Sequence, residues 1–191
     1  MSILKSHPGP LTLRDIFGLM PAHAVGIVHY YESVMRGPSP LSAAERELIY
    51  SYCSHLNGCD YAYTSHSACA TALGIDPAVF RAMKKGAPLP IRSQLKPLLK
   101  FARKLTVKPS TITPADARSI TAAGWPEQAL IDTIVVISLT AWINRVLNGF
   151  CASVPTAKGR AAGRALAEGG YMPVARQVRQ QLAKAAKTSR A

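Results

Sequence analysis

The chain has 191 residues, 48% hydrophobic and 17% charged, with 23 Lys and Arg against 10 Asp and Glu for a net charge of +13. That length suits one domain with a sizeable core, and the balance excludes a disordered chain; four irregularly spaced cysteines exclude a disulfide-stapled scaffold. The longest apolar stretch, Ile134 to Ile143, falls short of the ~20 residues of a membrane span, and the opening residues lack a secretory leader, so a cytoplasmic protein with no membrane partner is expected.

In chain order, Pro21 opens a first long helix that closes at Arg36 before Gly37-Pro38. Ser42-Ala43-Ala44-Glu45 has the form of a capping box, in which hydroxyl and carboxylate satisfy each other's backbone amides, and predicts a helix to Leu56. Asn57-Gly58 breaks it, and a new helix runs from Cys59 to Gly74. Asp76-Pro77 opens the next, which stops at Gly86. A basic helix follows from Ser93 to Thr106, then one capped by Thr113 and ended by Gly124. From Pro126 to Asn148 the pattern is apolar on nearly every face, which predicts the most enclosed helix of the bundle. A helix after Pro155 ends at Gly169-Gly170, and a last one carries the stripe Val174, Val178 and Leu182, which needs the core or another subunit to dock on.

No alternating run suggests a strand, so the fold class is all-α: one domain over 1–191, with about eight helices, a core over about 15–155, C-terminal helices over 156–187 and a frayed basic tail over 188–191. Charge is uneven along it. Arg81 to Lys108 holds nine Lys and Arg and no acid, and Cys151 to Ala191 holds eight against Glu168 alone. Neither segment contains a series of aromatics among its cations, so nucleic acid is not the expected partner.

The segment from Glu45 to His66 carries the chemistry. Cys59 stands at a helix start, where the positive end of the helix favours thiolate, so a lowered thiol pKa is expected there. His66 lies two turns on along the same face, with Ala62 between them. If the Asn57-Gly58 break folds the two helices together, Glu47 reaches His66 and the pair forms a proton relay.

Glu47, Cys59 and His66 at these intervals, with Gly37-Pro38-Ser39-Pro40-Leu41-Ser42 before them and Asn144-Arg145 far downstream, resemble the alkylhydroperoxidase D-like proteins of the carboxymuconolactone decarboxylase superfamily, in particular their peroxidase-related branch. The resemblance covers roughly residues 15 to 155. It implies the alkylhydroperoxidase D-like fold, a homo-oligomer, no cofactor, and an antioxidant thiol oxidoreductase that reduces peroxides. It implies too that a cysteine belongs where this chain has Ala62: that thiol attacks peroxide, the Cys59 equivalent captures its sulfenic acid, and an external lipoyl or thioredoxin-like dithiol reduces the disulfide. Without it, the chain reads as an inactive or silenced variant, through natural drift or an engineered Cys→Ala change. Cys69 does not replace it, since ten residues of helix place it ~15 Å from Cys59.

Two other functions fit the residues. One is a cofactor-free decarboxylase or lyase of the same superfamily using Glu47 and His66 as base and acid, which needs no thiol at position 62. The other is a non-enzymatic basic module that binds through Arg81 to Lys108 and the tail. The remaining candidates read as structural. Cys53, Cys69 and Cys151 are small buried hydrophobes, Tyr61 and Tyr63 are packing, and His7, His23 and His29 carry no spacing. His55 does not complete a metal site with Glu47 and His66, because the Asn57-Gly58 break destroys the helical register. Arg145, late in an enclosed helix, calls for an acid at a subunit interface.

Overall fold

The computed structural model describes residues 3–188, and within them every regular element is helical. Ten α-helices follow in order: α1 Leu13–Leu19, α2 Pro21–Arg36, α3 Ala43–Leu56, α4 Asp60–Ala72, α5 Pro77–Lys84, α6 Leu95–Val107, α7 Pro114–Ala122, α8 Glu127–Gly149, α9 Thr156–Gly169 and α10 Met172–Thr188. The all-α class therefore holds, with ten helices where about eight were expected. The tail beyond residue 188 and the side chain of Leu182 lie outside what is described.

The helix starts follow the local chemistry. Ser42 accepts from the Glu45 amide at 3.2 Å while Glu45 accepts from the Ser42 amide at 2.8 Å, closing the capping box ahead of α3. Asp76 accepts from the Ala78 amide at 2.7 Å ahead of α5. The additional helix α1 has a capping box of its own, Thr12 with Asp15, and the Tyr61 hydroxyl accepts from its Leu13 amide at 3.0 Å. Gly58, at φ +62°, takes the left-handed conformation that reverses the chain between α3 and α4, a conformation side chains disfavour.

The most enclosed helix is α3, not α8. Nine of the 14 residues of α3 are buried, against nine of 23 in α8. Polar residues on α3 survive burial because each finds partners: Arg46 donates to the carbonyls of Val34 and Gly37, and Ser51 to that of Glu47. Although α8 is long and apolar enough to cross a membrane, it packs here against α2, α3 and α6. It leaves Ile131 47% and Ile134 38% exposed. Arg145 lies on the exposed side of α8, donating to the Ala141 carbonyl, so the burial that called for an acidic partner is absent.

Two contacts shape the site. The helices α4 and α9 pack unusually close: a Cβ on Gly163 would lie 2.0 Å from the Ser65 carbonyl oxygen and 2.9 Å from the Ala68 Cβ, so only glycine fits. The last helix docks within the chain, α10 lying against α2 and α1 with Val178 buried. Its entry is fixed by Glu32, whose carboxylate accepts from the Tyr171 amide at 2.6 Å.

Candidate active site

The turn at Gly58 folds α4 back along α3 and brings Glu47 and His66 together, with His66 Nδ1 2.6 Å from Glu47 Oε2. A carboxylate only accepts, so Nδ1 carries the proton and donates. Glu47 has no exposed surface. Its other oxygen, Oε1, accepts from Arg36 Nη2 at 2.8 Å and from the Tyr171 hydroxyl at 2.9 Å. Burial alone would raise its pKa, but the charges and hydrogen bonds of His66 and Arg36 outweigh burial and hold the carboxyl below its ordinary value. Glu47 is therefore an ionised, three-donor anchor.

The ring of His66 lies among aromatic rings. Tyr50 stacks on it with ring centroids 3.6 Å apart and planes at 24°, and Tyr171 lies in near-parallel array at 6.3 Å. The hydroxyls of Tyr50 and Tyr31 share a hydrogen bond of 3.0 Å. Burial, more than any neighbour, drives the pKa values of Tyr31, Tyr50 and Tyr171 upward, so all three stay protonated. With Nδ1 committed to Glu47, Nε2 has no partner among the described residues, and His66 borders a cavity of about 270 Å³.

That cavity is mostly apolar. Phe17 of α1, Val28 of α2, Ile143 and Leu147 of α8, and Leu166 of α9 form its walls, and Pro173 and Val174 of α10 roof it. Ala62 and Ser65 of α4 lie on the wall beside His66. Such a lining, apolar over most of its surface beside His66, suits a small, largely apolar molecule.

The cysteines behave differently from expectation. Cys59 is the residue before α4, 1% exposed and absent from the cavity wall. Burial pushes its thiol pKa up; the Ala62 amide, donating to the sulfur, offsets this only in part, and the Asp60 carboxylate adds to the rise. The expected lowering at a helix start is thus overturned, because desolvation of a thiolate outweighs the ~0.3–1 kcal/mol a helix end supplies. Cys151 is exposed rather than buried. Cys69 is buried but not mere filler: its sulfur accepts from Arg36 Nη2 at 3.4 Å, and burial, with Glu47 beside it, pushes the thiol up to about 12.

Of the other candidates, Tyr61 lines the cavity after all, while Tyr63 faces away from it, its hydroxyl donating to the Phe80 carbonyl at 3.1 Å. His55 is exposed with its ring against Tyr63. Asn144 is buried and accepts from Ser54 at 3.3 Å. Arg36, Tyr31, Tyr50 and Tyr171 carried no functional signal in the sequence. They reach the site from α2, α3 and the entry of α10, and Tyr171 lies 105 residues from His66 in the chain.

Comparison with known proteins gives a consistent picture. The sequence model of the carboxymuconolactone decarboxylase family matches residues 21–83, the span that holds Arg36, Glu47, Cys59 and His66. A peroxidase-related protein from Silicibacter sp. TM1040 is similar at 27% identity over 73% of each chain, with a TM-score of 0.65. The alkylhydroperoxidase core of a peroxidase-related protein from Ralstonia eutropha JMP134 shares the fold at 21% identity over 78% of each chain, with a TM-score of 0.71. No curated protein matches.

Proposed function

We propose that the chain, whose residues 21–83 match the carboxymuconolactone decarboxylase family model and whose fold is similar to that of peroxidase-related proteins, is a cofactor-free proton-transfer enzyme of the lyase or decarboxylase type. One observation carries this reading: the cavity presents His66, backed by Glu47, and no sulfur. His66 Nε2 takes a proton from a carbon next to a carbonyl in a small apolar substrate, and the resulting imidazolium is held by the Glu47 carboxylate. The electron pair left on the substrate moves into the carbonyl or expels a leaving group. The proton on Nε2 returns to the substrate or to the departing group, which closes the cycle without a redox cofactor. In a decarboxylation the same nitrogen, protonated first, supplies the proton to the carbon from which carbon dioxide leaves.

Hydrogen–deuterium exchange at enolisable carbons of a panel of small ketones and lactones, followed by NMR, tests the reading. His66→Gln should slow exchange by about 10²–10⁴-fold, the usual range for losing a general base, and Glu47→Gln should slow it as well. Exchange unchanged in both variants would overturn the reading. So would catalytic peroxide consumption with a dithiol donor that Cys59→Ser abolishes.

A second reading, the silenced peroxidase, is favoured by the position of Ala62. Its side chain is on the cavity wall beside His66, and its amide is bonded to the Cys59 sulfur. A thiol introduced there would attack a peroxide oxygen and release alcohol or water; Cys59 would then displace water from the sulfenic acid to form a disulfide, to be reduced by an external lipoyl or thioredoxin-like dithiol. Titrating Ala62→Cys before and after peroxide should show the loss of two thiols per chain. No loss would remove this reading and leave the acid–base one standing.

In either case the chain works as a homo-oligomer in the cytoplasm, with exposed Ile131 and Ile134 of α8 covered by a neighbouring subunit. A 20.5 kDa monomer in light scattering at micromolar concentration would contradict the assembly.

A further inference from the structure

On the far side of α4 and α9 from the cavity lies a second concavity, a groove of about 730 Å³ between α4, α5 and α9. Its walls bring together the two basic segments of the chain. Arg81 and Lys84 come from α5, and Arg160 and Arg164, one helical turn apart, come from α9. None of these four forms an ion pair or hydrogen bond among the described residues, in contrast to Arg36, Arg92 and Lys104, which are all paired with carboxylates. Asp60 is the only acid on the lining. Four cations share one carboxylate across a concave surface, so the groove carries an excess positive potential that an anion would neutralise.

We propose that this groove binds a small molecule carrying two or more phosphate groups. Three features favour such a ligand. The cations stand on opposite walls, so one phosphate neutralises only part of the groove, whereas a di- or triphosphate reaches both. Three of the four are arginines, whose planar forks match phosphate oxygens with paired hydrogen bonds. The N-terminus of α9 opens at Thr156 on the same lining with no side-chain cap, so its first amides and the positive end of its dipole add to the field.

The polar floor divides in a way that suits an acceptor-rich ligand. The hydroxyls of Ser67 and Thr71 donate back to helix carbonyls, but those of Thr64 and Thr156 have no partner among the described residues and remain available to donate. Lys84 is held over the Tyr63 ring at 5.3 Å, which limits the freedom its ammonium loses on binding. The volume lies within the ~300–1,000 Å³ typical of small-molecule sites, and the concavity favours such a ligand over a flat macromolecular surface.

Isothermal titration of the full chain with sodium tripolyphosphate at 150 mM salt tests the proposal. One saturable site per chain is expected. The pairs Arg160→Ala/Arg164→Ala and Arg81→Ala/Lys84→Ala should each weaken it at least tenfold, while Lys100→Ala/Arg103→Ala, two exposed cations on α6, should leave it unchanged. All six positions are exposed, so the variants should keep the wild-type circular dichroism and melting point. The proposal is overturned by the absence of saturable binding up to millimolar probe, or by equal weakening in the α6 pair, which would mean diffuse attraction to net charge. Tighter binding of a single-stranded oligonucleotide, with stoichiometry that scales with its length and is insensitive to the groove variants, would equally overturn it and assign the charge to nucleic acid.

Discussion

The two faces of α4 solve opposite problems with the same kind of side chain. Toward α3, ionised Glu47 is sealed from water and matched by Arg36, His66 and Tyr171. Toward α5 and α9, three arginines and Lys84 stand in solvent with Asp60 as the one acid on the lining and no ion pair among the described residues. The contrast teaches that charge in this molecule is informative by its pairing rather than its amount. A buried carboxylate persists only because three donors were placed around it, whereas the open groove keeps its cations at little energetic cost because water screens them.

Breaking the buried side should have the largest effect. Arg36→Leu removes the guanidinium paired with the Glu47 carboxylate in a dry site, a change that typically costs ~3–5 kcal/mol, and a fall of that size in chemical-denaturation stability is expected. Gly163→Ala comes next, because it affects both faces at once: the new methyl meets the Ser65 carbonyl, and forcing α4 from α9 should cost about 1–3 kcal/mol, read as a lower melting point together with weaker occupancy of cavity and groove alike.

A pH titration sharpens the comparison further. Glu47 is held below its unfolded value, so its contribution is complete above the unfolded carboxyl pKa of ~4.3 and is lost as pH falls through its lowered value. Cys53 and Cys69 are both raised to about 12, chiefly by burial. Their protonated forms favour the fold below the unfolded thiol pKa of ~8.5, and stability should decline as pH climbs from there toward about 12. Melting points across pH 3 to 11 should thus fall at both ends, and Cys69→Ala should flatten the alkaline limb. The smallest effect belongs to the open face, where Arg160→Ala/Arg164→Ala should shift stability by no more than about 0.5 kcal/mol. Among the cysteines, Cys151, the exposed one, should be alkylated by iodoacetamide well before Cys59.

Most helix boundaries were legible because they are written in local chemistry: Ser42 with Glu45, Asp76 with Pro77, and Thr113 with Asp116 are read within four residues. The same signal exists at Thr12 and Asp15, but α1 is a short helix whose hold on the fold includes a bond to Tyr61, 48 residues away. Glu47 and His66 were legible as a pair because a single turn joins their helices. Arg36, Tyr50 and Tyr171 were not, since no spacing along the chain tells which residue of α2 or of the α10 entry will meet a carboxylate in α3. Two misreadings share one cause. The all-round apolar pattern of α8 and the helix-start position of Cys59 are both local facts, and burial, which decided the outcome in each case, depends on what the rest of the chain lays over them.

The matched family span, residues 21–83, holds Glu47 and His66, while much of the cavity surface, from Ile143 and Leu147 to Leu166, Tyr171 and Val174, comes from outside it. The Glu47–His66 pair and much of the cavity beside it are therefore written in separate stretches of the gene. Substitutions in α8, α9 or the α10 entry can reshape the cavity, and so the choice of molecule it would admit, while the Glu47–His66 pair stays as it is. Under the proposed function, a lineage built this way can change its diet without relearning its chemistry.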